Sequence, residues 1–465
     1  MLLEQLYLGC LSQASYLIVD EKTKTAVVVD PRRDVGIYLE RAEELGARIR
    51  HVLLTHLHAD FLAGHLELRE RTGATIHLGA RAQAEYPFQP IRDRDALEFG
   101  DLRLEFLETP GHTPESVSIV VYDLALDRRK PQAVLTGDTL FLGDVGRPDL
   151  MVAVGMEAED MAGMLYDSLH EKLLKLPDET LVYPGHGAGS ACGKNLSAET
   201  CSTIGAQRST NYALQPMSKA QFVRTVTADQ TAAPAYFARN ATLNRADRPT
   251  LEGVLSRALK PLALNDVLRS ANSGAQLLDT RDADAFAAEH IADAVNIGLS
   301  GRFASWVGTV LDPKKPIVLI ADPGREEESA VRLGRIGYDS IAGYLEGGMS
   351  AAGANPSVLV RRARVTREAL ARALASPAPP QVVDVRLDGE WVAGHIEGAL
   401  HLPLGSLDRQ LSRLPEDREI VVVCKSGYRS SIAASLIERA GYSRVTDLVG
   451  GMDAWVQGAQ PVEAG

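Results

Sequence analysis

The chain has 465 residues, of which 45% are hydrophobic and 24% charged, a composition typical of a globular protein and long enough for about three domains. Its formal net charge of -12 argues against nucleic acid or an anionic membrane as a partner. The apolar runs are too short to span a bilayer, and the start lacks a signal-type segment, so we expect a cytoplasmic protein. The four cysteines, at positions 10, 192, 201 and 424, are too sparse for a disulfide framework, so we expect reduced thiols.

Short apolar runs alternate with amphipathic segments in the first part of the chain. We predict five strands there, at residues 16–20, 26–30, 49–54, 102–106 and 117–122. Two helices are predicted between them, at residues 36–46 and 61–72. This alternation predicts an α/β sandwich of two sheets covered by helices.

Four loops in this region carry histidine or aspartate where an apolar run meets a turn. They are Thr55–Asp60, Thr109–Thr113, Thr136–Thr139 and Tyr183–Gly187. Neutral imidazole and carboxylate are ligands typical of zinc or iron. Four such loops in one sequence predict a composite metal site at one rim of the sheets.

The first loop resembles the T-H-x-H-x-D-H motif of the metallo-β-lactamase superfamily, and it departs from that motif at its last position, Phe61. In two-metal hydrolases of the superfamily the final histidine helps to hold the second metal, so phenylalanine favours a single metal. Within the superfamily, the chain is similar to the persulfide dioxygenases, which use mononuclear non-haem iron. The resemblance extends through residues 109–114, 137–140 and 146–150.

The resemblance implies one Fe(II) per chain with three ligands: His56, His112 and Asp138. It also implies three groups that orient the ligands and water: His58, Asp60 and His186. Two imidazoles and one carboxylate leave open positions for substrate and dioxygen, as in Fe(II) oxygenases. Spacing alone leaves open a zinc set made of His56, His58 and His112.

Three further residues of this region are candidates for contact with substrate. Arg147 follows the Asp138 strand and could bind an anionic thiol such as glutathione or coenzyme A, although an ion pair with Asp144 or Asp149 is an equal alternative. Cys192 and Cys201 follow the His186 loop, and either could reach the metal site. We favour Cys201, because its polar surroundings suit a thiolate, while a buried apolar role is the usual one for cysteine.

The pattern loosens between Thr225 and Pro249, which we interpret as the connection out of the metal domain. An internal repeat follows at an offset of 103–105 residues. It pairs Leu277–Arg281 with Val382–Arg386, and each copy reaches Gly-Gly-Met, at Gly347 and at Gly450. Each copy alternates strand and helix, as in a small doubly wound sheet. The proline-rich run Ser376–Pro380 is interpreted as a turn inside the second copy.

The second copy carries Cys424-Lys425-Ser426-Gly427-Tyr428-Arg429 directly after the apolar run Val421–Val423. A cysteine between a strand and a helix faces backbone N–H groups and the positive helix end, which stabilises a thiolate or a persulfide anion. Lys425 and Arg429 add positive charge, which suits acceptors such as sulfite. A phosphatase loop needs five residues between cysteine and arginine, whereas this loop has four.

The C-x-x-G-x-R pattern, with D-V-R, G-H-I and G-G-M-x-A-W around it, resembles a rhodanese sulfurtransferase domain over nearly all of residues 360–460. The resemblance implies that Cys424 is the nucleophile, and Ser426, Gly427 and Tyr428 are expected to bind substrate. The earlier copy has Ala321 in place of the cysteine and Asp322 next to it. We therefore expect it to be inactive, a spacer or docking surface, with anion binding by Arg325 as the weaker alternative.

The whole chain is similar to multidomain persulfide dioxygenase–rhodanese fusions of hydrogen sulfide detoxification. The resemblance implies a metallo-β-lactamase αββα sandwich at residues 1–240, an inactive rhodanese-like domain at 250–355 and an active one at 360–465. The expected partners are thiol persulfides, dioxygen, and sulfite or thiosulfate, and we expect a homo-oligomer. The alternatives are a zinc thioester hydrolase of the glyoxalase II type, disfavoured by Phe61, and a sulfur-relay scaffold with a structural metal.

Overall fold

The computed structural model describes residues 1–150, 152, 155–230, 233–353 and 355–464. The chain divides into two compact units: residues 1–253 with 334–337, and residues 254–333 with 338–465. Each helix among the described residues is too short or too polar to cross a lipid bilayer.

The first unit contains two sheets of six strands, and neighbours in each sheet follow chain order. The first sheet consists of β1 (Leu2–Leu8), β2 (Gln13–Asp20), β3 (Thr25–Val29), β4 (Arg48–Leu53), β5 (Thr75–Gly79) and β6 (Gln89–Ile91). The second consists of β7 (Ala96–Phe99), β8 (Leu102–Glu108), β9 (Val117–Asp123), β10 (Ala133–Gly137), β11 (Leu181–Pro184) and β12 (Ser202–Thr203). The five predicted strands are therefore confirmed.

One apolar core lies between the two sheets, because side chains of β2 and β3 pack with those of β8, β9 and β10. Helices cover both outer faces. They are α1 (Gly36–Glu44), α2 (His65–Thr72), α3 (Ala158–Asp167), α4 (Ile204–Thr210), α5 (Lys219–Thr227) and α6 (Phe237–Arg245). A π-helical turn at Ser168–Lys172 and 3-10 turns at Leu173–Lys175 and Tyr212–Leu214 complete them. The predicted αββα sandwich is confirmed.

Two details of the first unit differ from the sequence interpretation. Helix α2 begins at His65 and not at Phe61, because the backbone from Phe61 to Gly64 follows the metal loop before the helix starts. The segment interpreted as a connection contains α6, and the predicted limit at residue 240 falls inside this helix. The reason is packing: Phe237 and Asn244 of α6 are buried, so this helix is part of the first unit.

The second unit contains two parallel five-stranded sheets with the same strand order. The first has the order β13-β18-β17-β14-β16: β13 (Pro261–Leu262), β14 (Gln276–Asp279), β16 (Val295–Asn296), β17 (Ile317–Ile320) and β18 (Ile341–Leu345). The second has the order β20-β24-β23-β21-β22: β20 (Arg364–Val365), β21 (Gln381–Asp384), β22 (Leu400–His401), β23 (Ile420–Val423) and β24 (Val445–Leu448). The repeat detected in the sequence is thus a structural repeat.

Helices accompany the strands of each copy, and α7 (Leu251–Ala258) precedes the first copy. That copy has α8 (Leu264–Asn272), α9 (Ala283–Ala288), α10 (Phe303–Val310), α11 (Glu326–Gly334) and α12 (Met349–Ala352). The second has α13 (Arg367–Leu374), α14 (Asp388–Val392), α15 (Tyr428–Arg439) and α16 (Gly451–Gln457). A two-stranded pair, β15 (His290–Ile291) with β19 (Leu359–Val360), and 3-10 turns at Pro356–Val358 and Leu404–Arg413 complete the unit. The proline-rich run lies between α13 and β21, as predicted.

Candidate metal centre and sulfur-transfer loop

Three buried side chains from three loops meet at one rim of the sandwich. His56 follows β4, His112 follows β8 and Asp138 follows β10, and one ligand atom from each lies within 4.8 Å of the others. The Nε2 atom of His112 is 3.4 Å from Oδ2 of Asp138, and that of His56 is 3.9 Å from the same oxygen. Two nitrogens and one carboxylate oxygen therefore face one point, as the ligands of a metal ion must.

Hydrogen bonds on the far sides of the two imidazoles determine which nitrogen faces this point. Nδ1 of His112 lies 3.0 Å from the Arg147 carbonyl oxygen, which can only accept, so this nitrogen carries the proton. Nδ1 of His56 lies 3.0 Å from Oγ1 of Thr55, and that hydroxyl donates its own proton to Asp30. Both rings consequently present an unprotonated Nε2 to the shared point, which is the tautomer that a metal ion requires.

The protonation states of the three groups suit a metal. Burial, followed by the neighbouring His58, lowers the pKa of His56 well below its usual value. Burial also lowers the pKa of His112. Burial opposes the charged form of Asp138, but His186 and His56 outweigh it and lower the pKa of this carboxyl. Neutral imidazoles beside an ionised carboxylate can bind a cation without first losing a proton.

His186 lies between two carboxylates. Its Nδ1 is 2.9 Å from Oδ1 of Asp138, and its Nε2 is 2.8 Å from Oδ2 of Asp60. Burial opposes protonation, but the two carboxylates raise the pKa of His186 well above its usual value. The ring is thus an imidazolium that donates on both sides. Asp60, His186 and the thiol of Cys192 form a second group of potential ligand atoms, all within 4.8 Å of one another.

His58 belongs to neither group. Its Nε2 lies 3.0 Å from Oδ1 of Asp30, and its ring lies between those of His56 and Phe61, with centroid distances of 4.2 and 4.4 Å. Burial opposes the charged form, but Asp30 outweighs it and the pKa of His58 is raised. Among the described residues, the set that combines His58 with His56 and His112 does not converge on one point.

Arg147 forms the ion pair that we considered as the alternative to substrate binding. Its side chain is buried, and Nε and Nη2 each lie 2.7 Å from a carboxylate oxygen of Asp149. Nη1 donates to the carbonyl oxygen of Ala191. The structure therefore shows the ion-pair alternative, and binding of an anionic thiol by Arg147 stays a prediction.

The preference for Cys201 over Cys192 is corrected. Cys201 is partly buried, and its thiol donates to the carbonyl oxygen of Ser202 at 3.6 Å, away from the ligand groups. Cys192 is the cysteine whose sulfur lies with Asp60 and His186. Burial, followed by Asp60, raises the pKa of Cys192 well above its usual value, so this residue is a thiol and not a thiolate. The polar neighbours of Cys201 in the sequence did not predict its position, because the path of the backbone determines which cysteine lies beside the ligand groups.

A small cavity of about 230 Å³ lies beside the three converging groups and includes His112 in its wall. Leu57 and Glu115 also line it, and Oε1 of Glu115 accepts a hydrogen bond from the backbone N–H of Leu57. The opposite wall is helix α6, which ends at Arg245. Sequence reasoning missed Glu115 and Arg245, because neither belongs to a metal-binding motif.

The sulfur atom of Cys424 lies at the end of β23, where the chain turns into α15. The residue is buried, and its Sγ accepts a hydrogen bond from the backbone N–H of Gly427 at 3.1 Å. Gly427 has φ of 97°, a left-handed conformation that glycine adopts at little cost. Lys425 and Ser426 are exposed. The loop thus directs a backbone donor and the N-terminus of a helix toward the sulfur.

Two other loop residues have partners within the second unit. Arg429 forms a two-pronged ion pair with Glu390, with both distances 2.7 Å, so Lys425 is the exposed cation of the loop. Tyr428 donates its hydroxyl to the carbonyl oxygen of Gly298 at 2.7 Å. Gly298 belongs to the first repeat copy, so that copy contacts the loop that carries Cys424.

Comparison with known proteins finds relatives for both regions of the chain. The family model of the metallo-beta-lactamase superfamily matches residues 8–186, and that of the rhodanese-like domain matches residues 264–355 and 366–458. Persulfide dioxygenase ETHE1, mitochondrial, from Bos taurus is 31% identical over 215 residues, which cover 45% of this chain and 74% of that protein. A probable hydroxyacylglutathione hydrolase from Schizosaccharomyces pombe is 29% identical over 186 residues, covering 39% of this chain and 66% of that protein.

A solved structure extends the comparison beyond the first unit. The crystal structure of a metallo-beta-lactamase from Staphylococcus aureus has 33% sequence identity and a TM-score of 0.66, and the match covers 74% of this chain and 98% of that chain. The chain therefore belongs to the metallo-beta-lactamase superfamily and carries two rhodanese-like domains after that domain. Within the superfamily, its relatives include the persulfide dioxygenase ETHE1.

Proposed function

We propose that this chain is a non-haem iron persulfide dioxygenase joined to a rhodanese sulfurtransferase. The observation that carries the first half is the convergence of His56, His112 and Asp138, each in the protonation state of a ligand. The donor set of two imidazoles and one carboxylate fits mononuclear Fe(II). Phe61 favours a single ion, since its side chain has no donor atom at the place where two-metal members of the superfamily have a histidine.

The three residues would hold one Fe(II), which when bound supplies the activation of dioxygen. The Arg147 carbonyl and the Thr55 hydroxyl orient the two imidazoles. His186 fixes the Asp138 carboxylate and places a positive charge beside it. In the overall reaction, a thiol persulfide, dioxygen and water give the free thiol, sulfite and two protons.

We propose that the second repeat copy transfers the sulfane sulfur. The Cys424 thiolate attacks the outer sulfur of a persulfide, the sulfur–sulfur bond breaks, and the thiol leaves with its electron pair. Sulfite then attacks the outer sulfur of the Cys424 persulfide, which gives thiosulfate and restores the thiolate. The N–H of Gly427 donates to the sulfur, and Lys425 supplies positive charge for the sulfite. The direction of flux can reverse, because each step is an exchange at sulfur.

We also propose the division into a dioxygenase domain at 1–240, an inactive copy at 250–355 and an active copy at 360–465. Helix α6, which is buried against the metal loop, favours extending the first domain to Arg245. Thiol persulfides such as that of glutathione or coenzyme A are the proposed small-molecule partners.

The test is anaerobic purification with metal quantification, followed by oxygen uptake with glutathione persulfide. We expect one iron per chain, oxygen uptake and one sulfite per oxygen consumed. Asp138→Asn should lose the metal, whereas Asp127→Asn, at an exposed turn, should retain it. Two metal ions per chain, or no oxygen uptake by the iron-loaded protein, would refute the first half.

A zinc thioester hydrolase is the second candidate, and the similarity to a probable hydroxyacylglutathione hydrolase favours it. Such an enzyme would contain zinc, cleave a hydroxyacylglutathione thioester and ignore oxygen. The same purified protein decides between the two functions, because thioester cleavage and oxygen uptake can be measured in parallel.

A further inference from the structure

The cavity beside the metal centre has one wall that belongs to no metal-binding motif. Its inner wall includes Leu57 and His112, and its outer wall includes Phe237, Ala241 and Arg245 of helix α6. A molecule in this cavity lies against His112 on one side and α6 on the other. The outer wall therefore contacts any molecule that lies against His112 in this cavity.

Arg245 is the charged group of this outer wall that has no partner. Its Nε is buried and has no hydrogen-bond acceptor, and its guanidinium forms no ion pair among the described residues. The residue as a whole is only half-buried, so the terminal nitrogens of its guanidinium are the donors that an anionic ligand in the cavity could reach. The guanidinium also has the planar geometry that binds a carboxylate through two hydrogen bonds.

The position of Arg245 relative to the metal loop is fixed by the preceding residue. Asn244 is fully buried, and its amide donates to the carbonyl oxygens of His58 and Phe61, both at 2.8 Å. Its Oδ1 accepts from the N–H of Ala63 at 3.0 Å. These three bonds attach the last turn of α6, and with it the backbone of Arg245, to the loop that carries His56.

The other charged groups of the cavity already have partners. Asp149 is paired with Arg147, and Glu115 accepts the N–H of Leu57. Two carboxylates and one unpaired guanidinium in the wall favour a ligand with few negative charges. The volume of about 230 Å³ is below the range of about 300–1,000 Å³ that is usual for drug-sized ligands, which disfavours a nucleotide-linked thiol.

We propose that Arg245 binds the carboxylate of a small, amino-acid- or peptide-type thiol persulfide in this cavity. The inference rests on the proposed function, because it names the class of persulfide that the metal centre receives. It makes Arg245 a residue that determines which thiol persulfide binds. A thiol without a carboxylate loses this interaction, and coenzyme A meets two carboxylates and a small cavity.

Binding of the product thiols, measured by calorimetry, tests the inference without turnover. The probes are reduced glutathione, cysteamine and coenzyme A, with full-length protein. Arg245→Gln should weaken glutathione binding about tenfold and leave cysteamine binding unchanged, and Arg245→Lys should restore part of the loss. The matched control is Arg224→Ala, which removes an exposed arginine of α5 and should change nothing.

Oxygen uptake separates this inference from the proposed function. In Arg245→Gln the KM for glutathione persulfide should rise about tenfold with kcat little changed, because a binding contact is removed. An equal loss for cysteamine, tighter binding of coenzyme A than of glutathione, or no glutathione binding by the wild type would overturn the inference. If the binding results are as expected but the protein consumes no oxygen, the proposed function fails and the role of Arg245 stands.

Discussion

The two rhodanese-like copies have the same sheet topology but differ in the residues of the loop after the central strand. Their sheets share one strand order, and each has a buried aspartate paired with the arginine two residues later. In the first copy the loop after the central strand begins with Ala321, and in the second with Cys424. The two copies therefore differ at the one loop position where a sulfurtransferase would need its nucleophile.

The same backbone N–H serves two different acceptors in the two loops. Gly427 donates to the sulfur of Cys424, whereas Gly324, at the matching place, donates to the carboxylate of Glu326. Both glycines have left-handed φ values, 97° and 87°. In the first copy the Glu326 carboxylate thus takes the backbone N–H that in the second copy donates to the Cys424 sulfur.

The helices that follow the two loops reinforce this difference. The first turn of α11 contains three glutamates, which stabilise its N-terminus, whereas the first turn of α15 has no acidic residue. An anionic substrate is therefore attracted to one helix end and repelled by the other. The first copy therefore differs from the second in two ways: Ala321 stands in place of the cysteine, and the Glu326 carboxylate accepts the backbone N–H of the loop.

The largest effect is expected from Cys424→Ala. Sulfur transfer should fall by at least about 10³-fold, because no other group forms the enzyme persulfide. Oxygen uptake should be retained, since the two chemistries use separate loops. A thiosulfate transfer assay and an oxygen electrode measure the two activities, and loss of both would contradict the two-site scheme.

Removing the charge of the buried aspartate should lower the free energy of unfolding by the same amount in both copies. Asp384→Asn leaves the buried Arg386 without its partner, which costs about 3–5 kcal/mol. Asp279→Asn should cost as much in the first copy, where Arg281 is paired in the same way. Chemical denaturation measures both, with the exposed Asp408→Asn as control. A large loss in the second copy alone would mean that this pair serves catalysis and not the frame.

The contact between the copies predicts a smaller effect. Tyr428→Phe removes the hydrogen bond to the Gly298 carbonyl, worth about 1 kcal/mol, and should slow sulfur transfer about fivefold. The alkylation rate of Cys424 should fall in parallel, because the loop is less well positioned. Gly301→Ala tests the same contact from the other side, since a Cβ there would lie 2.4 Å from the Tyr428 ring. If the first copy is only a spacer, neither variant changes the alkylation rate.

The smallest effect is expected from Ala321→Cys, which should give no measurable transfer in a Cys424→Ala background. Glu326 keeps the Gly324 N–H, and its charge opposes a thiolate. Adding Glu326→Arg should raise the alkylation rate of the new cysteine above that of the single variant. If Ala321→Cys alone already transfers sulfur in the Cys424→Ala background, the alanine is the only relevant difference between the two loops.

Sequence patterns predicted most of the frame. Apolar periodicity located the strands of the sandwich, and the repeat located both small sheets, because buried strands require apolar side chains at fixed intervals. The start of α2 was misplaced, since the chain from Phe61 to Gly64 is apolar but not helical. Helix α6 was missed, because its polar and charged residues resemble a linker and its burial depends on Asn244 reaching the metal loop.

The sequence by itself determined the fold class, the motifs that bring His56, His112 and Asp138 to one rim, and the difference between Ala321 and Cys424 in the two copies. Only the tertiary structure decided the partners of the charged groups. It paired Arg147 with Asp149 and Arg429 with Glu390, placed Cys192 beside His186, and left Arg245 unpaired in the cavity. A sequence motif reflects the local backbone conformation and the ligand types that it carries. An ion pair joins two side chains, and their distance is fixed only when the sheets and helices pack.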